Sequence, residues 1–370
     1  MEEEKRDTIV ELEKLRRDID AIDLKILELL NKRANIALEI ANIKRQAGLK
    51  FYSPKREREI LERLTSLNKG PFPNDAIKFI FREIISASLA LEQPLRIAYL
   101  GPAGTFTNLA ALRHFGSFAE YIPVDGIKAV FDTTDRKIAD YGVVPIENSN
   151  EGVVSSTLDM FIDYDLKISA EIMLEISHHL LSKADDKSKI KKIYSHPQAT
   201  AQCKTWLELN LPDIPIFEST STARAAELAS KEEDAAAIAS ELAAQLYDLN
   251  FIEKHIEDYK KNYTRFLVIG KEYQQKTGRD KTSILFSVKD RPGALYDALL
   301  PFKKSNINLT KIESRPSKRK AWEYVFFVDL EGHIDDEEVQ NALKEVKETC
   351  LYMKHLGSYP IDETVEKEKL

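Results

Sequence analysis

Cysteine is scarce: the chain of 370 residues holds two, Cys203 and Cys350, far apart and at no metal-ligand spacing, which excludes a disulfide framework or a zinc site built on thiolates. Both read as small, partly buried hydrophobes. Long apolar runs are missing as well, so no segment supplies the roughly 20 residues that a membrane-spanning helix needs. The charged start, Met1-Glu2-Glu3-Glu4-Lys5-Arg6, leads into no apolar stretch. The expectation is a cytoplasmic protein with no membrane partner. A basic excess is also lacking: 54 Lys and Arg against 61 Asp and Glu give a formal charge of −7, which argues against a nucleic-acid partner. Small molecules are the expected ligands.

What is present is enough for several ordinary cores, with 43% hydrophobic residues and a length that suits two or three domains. Near the amino end, Leu12, Ile19, Ile26 and Ile40 fall in one heptad series and Leu15, Ile22, Leu29, Ile36 and Ile43 in another. The spacing predicts one helix from about Thr8 to Ala47, roughly 60 Å long, with an apolar seam that asks for a helix from a second chain. Ser53-Pro54 opens a second helix to about Leu67, and Asn74 caps a third to Glu92. Arg33 interrupts the seam. Lys44, eleven residues on, returns to within about 20° of it, so the two cations could close on a dianion. Arg16 is about 25 Å away along the helix and could join them only from another protomer. Alternatively, Arg33 pairs with a core carboxylate and Arg16 is solvated.

The segment Leu15 to Glu92 resembles the all-helical chorismate mutase found at the amino end of bifunctional mutase-dehydratases. The resemblance implies a site lined by Arg16 from the dimer mate, Arg33, Lys44, Arg56, Glu57, Ser88 and Glu92, with Arg33, Lys44 and Glu92 closest to the chemistry. Such a set suits a pericyclic rearrangement, which needs a compactly held dianion and stabilisation of charge on the breaking ether oxygen, and no nucleophile. Ser53 and Glu92 depart from the residues common in bacterial relatives. Ser53 also reads as a cap. A carboxyl at 92 would help the transition state only as a hydrogen-bond donor.

From Leu95 to about Gly270 short apolar runs alternate with helical patterns, an α/β region. Arg96 to Leu100 reads as a strand, and Gly101-Pro102-Ala103-Gly104-Thr105-Phe106-Thr107 as a turn into a helix. Val143 to Val153 carries Glu147-Asn148-Ser149 at a strand end. Ser195-His196-Pro197-Gln198 through Gln202 and Ser219-Thr220-Ser221-Thr222 each open a helix, and His196 is as well explained as a turn hydrogen-bonder as a base. Ala235 to Leu249 is expected to be an alanine-rich helix. Asn262-Tyr263-Thr264-Arg265-Phe266 precedes a strand. These segments resemble, in order, the signatures of prephenate dehydratase. The resemblance implies two lobes, periplasmic-binding-protein-like, with a cleft between them, a substrate set of Thr105, Phe106, Glu147, Asn148, Ser149, Ser195, Gln202, Ser221, Thr264 and Arg265, and Thr264 as the catalytic hydroxyl. Thr264 is expected to act as an oriented donor, in a relay with Glu147. Arg265 suits either an anion clamp or a structural ion pair.

Lys271 to Lys281 reads as a linker, and the order strand, helix, strand, strand, helix, strand that follows is an α+β ferredoxin-like unit. Its strands are expected at Thr282 to Val288, Ile307 to Ser314, Trp322 to Leu330 and, briefly, Tyr352 to Leu356, with Lys318-Arg319-Lys320 in a hairpin turn. Gly293-Ala294-Leu295 and Glu313-Ser314-Arg315-Pro316 resemble the phenylalanine-recognition motifs of regulatory ACT domains, which implies an effector site that also draws on Asn308. The expected multidomain chain is a mutase domain over 1–93, a dehydratase domain over 95–271 and an ACT domain over 281–360. It would convert chorismate to prephenate and prephenate to phenylpyruvate under phenylalanine control, as a dimer or dimer of dimers, with no cofactor or metal. The alternatives are an arogenate dehydratase and an amino-acid sensor with inactive lobes.

Overall fold

The computed structural model describes residues 2–48, 52–316 and 324–362, with side chains from residue 5 onward. The expected turn at Lys318-Arg319-Lys320 and the strand start at Trp322 lie outside the described residues. Two compact units emerge: the chain up to Leu95 together with Phe115–Ala119, and Arg96–His114 together with everything from Glu120 on.

The first unit is three helices, α1 (Glu2–Gln46), α2 (Pro54–Leu67) and α3 (Asn74–Glu92). Ser53 is the cap of α2, its Oγ accepting from the Arg56 N–H at 3.4 Å. The inner face of the last three turns of α1 is made of small residues: Ala34 and Ala37 are half-buried and Ala41 is buried, which lets α3 approach closely. The nine heptad residues lie on other faces and stay 46% (Ile40) to 65% (Ile43) exposed in the single chain. Phe115–Ala119 closes against α3, with Ser117 N–H on the Glu83 carboxylate and Phe118 N–H on Ser86 Oγ.

The second unit begins as one α/β lobe: β1 (Arg96–Leu100), α4 (Phe106–Phe115), β2 (Glu120–Val124), α5 (Ile127–Asp135), β3 (Tyr141–Asn148), β4 (Gly152–Val153), α6 (Ser155–Asp163) and β5 (Lys167–Glu175). The chain crosses into a second lobe made of β6 (His179–Ser182), β7 (Lys192–Ser195), α7 (Pro197–Gln202), α8 (Lys204–Asn210), β8 (Ile216–Glu218), α9 (Thr222–Ala229), β9 (Ala235–Ala239), α10 (Glu241–Leu246) and β10 (Asn250–Glu253), and returns through β11 (Tyr263–Gly270). The sheet orders are β2-β1-β3-β11-β5, with β4 beside β3, and β10-β6-β9-β7-β8. Two crossing strands, β5 and β11, thus pair antiparallel in the first lobe and carry the chain to and from the second.

The alanine run departs from expectation. Ala235–Ala239 is the central strand of the second lobe, every residue fully buried, and only Glu241–Leu246 is helical. Alanine's helix preference is a weak prior. Here β6 and β7 flank the segment and both faces are covered, so four alanines fit beside Ile238 where larger side chains would hold the layers apart.

The carboxyl-terminal module follows in the expected order: β12 (Asp280–Val288), α11 (Ala294–Lys304), β13 (Leu309–Pro316), β14 (Tyr324–Glu331), α12 (Glu337–Thr349) and β15 (Cys350–Pro360). Its sheet order is β13-β14-β12-β15. The last strand is eleven residues long, not a short one, because β12 pairs with it along its whole length. One sheet face is covered by α11 and α12. The other puts Leu285, Val325, Phe327, Leu356 and Tyr359 into the same core as Leu166, Ile168 and Leu267 of the first lobe.

Candidate active sites

In the helical unit, α3 presents Ser88 and Glu92 one turn apart on one face. The half-buried Arg33 and Lys44 of α1 face them. Arg33 Nη1 donates to Ser88 Oγ at 2.6 Å, and Ser88 Oγ donates to the Ile84 carbonyl at 2.7 Å, so the hydroxyl is held in place for the guanidinium. Burial pushes the Glu92 carboxyl above the ordinary range, against the charges of Lys44 and Arg45 that pull it down. On α2, burial pushes the Glu57 carboxyl up to about 7, opposed by Arg82, whose Nε lies 3.8 Å away, and by a hydrogen bond from Tyr52. Arg56 is exposed and pairs with Glu59 at 3.3 Å. Arg16 is exposed on the same continuous helix as Arg33, and a rigid rod keeps the two about 25 Å apart. One chain therefore brings together Arg33, Lys44, Ser88 and Glu92, and leaves Arg16 outside.

The second site gathers where β3 ends beside β11. Antiparallel pairing sets Thr264 opposite Asn148 and Arg265 opposite Glu147. Asn148 Nδ2 donates to Thr264 Oγ1 at 2.8 Å, while its Oδ1 accepts from the N–H groups of Asn150 and Glu151, each at 3.0 Å. The Thr264 hydroxyl thus has one lone pair engaged, and among the described residues no acceptor takes its proton. The chain of neutral groups continues: Asn148 Nδ2 to Asn262 Oδ1 at 2.8 Å, and Gln202 Oε1 accepts from both Asn262 Nδ2 at 3.2 Å and His178 Nε2 at 2.8 Å. The buried His178 has its pKa lowered by desolvation, so it is neutral, and Phe106 meets its ring edge-on at 5.5 Å. Ser149 Oγ accepts from Tyr263 N–H at 3.0 Å.

The helix-opening serines are engaged locally. Ser221 Oγ caps α9 through Arg224 N–H, and the fully buried Ser195 donates to the His196 carbonyl. Thr105 Oγ1 donates to the Leu100 carbonyl and accepts from Asn108 N–H. His196 is a turn hydrogen-bonder, its Nδ1 accepting from Gln198 N–H. The two lobes meet at Gly104: its carbonyl accepts from Ser240 Oγ at 2.9 Å, its φ is +88°, and a Cβ there would stand 3.5 Å from Ala223 and Ala243. His178, Asn262 and Ser240 were not anticipated from sequence. Asn262 could have been, since it directly precedes the polar pair on β11.

One expectation is corrected and one alternative is decided. Glu147 makes no relay with Thr264; strand alternation turns it to the opposite face, where Oε2 lies 2.7 Å from Lys311 Nζ. Arg265 forms the structural ion pair that the sequence offered as one of two readings: Nη1 meets Asp329 at 2.6 Å, Nε meets Glu171 at 2.8 Å, and Nη2 donates to Tyr359 Oη at 2.9 Å. Two buried carboxylates thus match its charge. Asn148 is the partner that Thr264 has.

In the carboxyl-terminal module, Gly293 caps α11 at φ +78°, a left-handed conformation that favours glycine. Ala294 is buried and Leu295 packs on the module's core. Glu313 lies on edge strand β13 with Ser314 facing the other way, and Arg315 Nη2 lies 3.5 Å from Asp159 of α6. Asn308 accepts from Glu331 N–H through its carbonyl. Among the described residues no group of three or more His, Cys, Asp or Glu could hold a metal ion, and no helix is long and apolar enough to cross a membrane.

Family models match in the order of the chain: chorismate mutase type II over residues 15–93, prephenate dehydratase over 97–274 and the ACT domain over 282–348. A bifunctional chorismate mutase/prephenate dehydratase of Aquifex aeolicus is 55% identical over 354 residues, 95% of this chain and 98% of that protein. The chain belongs to the bifunctional chorismate mutase/prephenate dehydratase family. Among solved structures, the prephenate dehydratase of Arthrobacter aurescens in complex with L-Phe aligns with 72% of this chain and 90% of that one, at TM-score 0.67 and 34% identity. A protein described as a quorum-quenching acylase aligns as well, at TM-score 0.67 and 26% identity over 73% of this chain. Membership in the bifunctional family therefore rests on the three domains together, since a fold of lobes and regulatory module alone admits other chemistry.

Proposed function

We propose that the chain rearranges chorismate to prephenate in its helical unit and converts prephenate to phenylpyruvate, CO2 and water in its two-lobed unit, under feedback inhibition by L-phenylalanine. It is an isomerase and a carbon-oxygen lyase of phenylalanine biosynthesis. The observation that carries the reading is Thr264, a hydroxyl fixed by Asn148 in a network that runs through Asn262 and Gln202 to His178.

In the mutase step, Arg33 and Lys44 hold the dianion, Ser88 fixes Arg33, and Glu92 donates a hydrogen bond to the ether oxygen when protonated. Glu57 lies among the helices as a carboxyl that burial keeps partly protonated near neutral pH. Arg16 enters from a second protomer, whose α1 covers the exposed heptad seam; Arg56 stands at the rim. In the dehydratase step, the electrons of the C–C bond released as CO2 flow into the ring and expel the ring hydroxyl, and aromaticity drives both. Thr264 donates a hydrogen bond to the departing oxygen, and the proton that turns it into water is supplied from solvent, since a threonine is too weak an acid to give one up unaided. Asn148, Ser149, Gln202 and Phe106 line the substrate, with Thr105, Ser195 and Ser221 at the surrounding helix starts. Phenylalanine binds the regulatory module through Gly293, Ala294, Leu295, Asn308, Glu313, Ser314 and Arg315, and shifts the cleft between two arrangements.

The test supplies chorismate, prephenate or arogenate to the purified chain and identifies the products. Prephenate from chorismate and phenylpyruvate from prephenate are expected. Phenylalanine formed faster from arogenate than phenylpyruvate from prephenate would replace the dehydratase assignment, and no turnover of any of the three would leave a sensor.

A further inference from the structure

The end of β3 and the start of β11 form a ribbon with two different faces. On one face Asn148 holds the Thr264 hydroxyl. On the other, Glu147 and Arg265, directly opposite each other in register, are both held by the carboxyl-terminal module. Lys311 of β13 meets Glu147, while Asp329 of β14 and Tyr359 of β15 meet Arg265. Further bonds stiffen the contact: Ser283 Oγ donates to Asp329 Oδ1 at 2.5 Å, and Lys281 Nζ lies 2.7 Å from Glu171. Lys311, Glu313 and Arg315 alternate with exposed neighbours along β13, so all three face inward, and both neighbours of Glu313 on that face reach the dehydratase lobe.

We propose that Glu147 and Arg265 are positioning residues for Thr264, held from the carboxyl-terminal module by Lys311 and Asp329, so that a shift of β13 is felt at the dehydratase hydroxyl. The inference rests on the dehydratase reading above. Its physical basis is that neighbouring residues of one strand cannot move independently: a displacement of Glu147 or Arg265 carries Asn148 and Thr264 with it. Misplacement of a reacting group by about 1 Å costs on the order of a hundredfold in rate. The Arg265 cluster is fully desolvated, and removing one of its members threatens folding. The Lys311–Glu147 pair is partly exposed and is the place to test.

The experiment uses the full chain and three variants, Lys311→Glu, Glu147→Lys and the double exchange. Each is assayed with prephenate, with chorismate and with phenylalanine by inhibition and calorimetry. Either single exchange should lower the prephenate kcat by roughly threefold to tenfold with KM within about twofold, the signature of lost positioning. Phenylalanine for half-inhibition should rise about fivefold or more, the lower end of ordinary coupling, while calorimetric affinity stays within a few-fold and mutase rates match the parent. The double exchange should restore kcat and inhibition. Single variants with parental kcat and inhibition, a double exchange that restores neither, or loss of phenylalanine binding in Lys311→Glu would each overturn the proposal. A parent chain that leaves prephenate unchanged would overturn the dehydratase reading itself, before any variant is made.

Discussion

Helix α1 and strand β9 meet water in opposite ways. The helix carries nine large apolar residues at heptad spacing that remain about half exposed, and its inner face is made of small ones. The strand carries four alanines and Ile238, each fully buried. Apolar content does not by itself say what is inside a single chain. Large side chains at heptad spacing along a rod have no intrachain surface to cover them, whereas a five-residue strand between two neighbours is covered whatever its size. The two catalytic regions differ in the same sense. Thr264, Asn148, Asn262 and Gln202 are bonded to one another within one chain, but Arg33 and Arg16 lie on one rod and cannot converge there.

The sharpest way to break that comparison is to disable each site alone. Thr264→Ala should lower dehydratase kcat by about 10²–10³, the usual loss of one oriented donor, with mutase activity unchanged; Arg33→Ala should do the reverse. Loss of both activities from either variant would show that the sites are not separate.

Next comes the seam. Ile22→Asp should give a monomer by light scattering that has lost mutase activity and kept dehydratase activity, because only the former needs the second chain. Mixing Arg16→Ala with Arg33→Ala and refolding should return about a quarter of the parental mutase rate, since half the dimers are mixed and each holds one intact site. No recovery would place Arg16 outside the site.

A smaller effect concerns pH. Burial raises the Glu92 carboxyl, so its protonated, donating form persists to higher pH than in an ordinary glutamate, and the mutase rate should fall as pH rises through that raised value. Glu92→Gln should flatten this limb. Parallel profiles in the two proteins would remove Glu92 from the chemistry. The smallest effect is in β9, where Ala237→Leu should cost about 1–3 kcal/mol in denaturant unfolding by overpacking; a neutral result would mean that the second lobe is less tightly layered than its burial indicates.

Helices α1 and α2, the turn at Gly104 and the order of the carboxyl-terminal elements were legible because each is fixed by local signals: heptad spacing, a capping serine before proline, a backbone position that suits glycine. Helix α3 begins at Asn74 as expected, but Asn74 is its first helical residue and Pro73, not Asn74, holds the cap position. The failures share a cause. Ala235–Ala239 was misread because alanine favours helix only weakly, and its neighbours decide. The family resemblance grouped Glu147 and Arg265 with Asn148 and Thr264, but adjacent residues on a strand face opposite ways. His178 was missed because a histidine that is buried and neutral leaves no mark in a sequence.

By itself the sequence determined that there are three kinds of domain in order, that the long amino-terminal helix carries large apolar residues at heptad spacing, and which segments carry Thr264 and Arg33. Local propensity, periodicity and capping act over a few turns or a few strand residues, and these features need nothing longer. Only the tertiary structure decided that Asn148 fixes the Thr264 hydroxyl and that Arg265 joins the regulatory module to the catalytic sheet. Those assignments depend on the register between strands more than a hundred residues apart. A shift of one residue in that register would exchange the two faces.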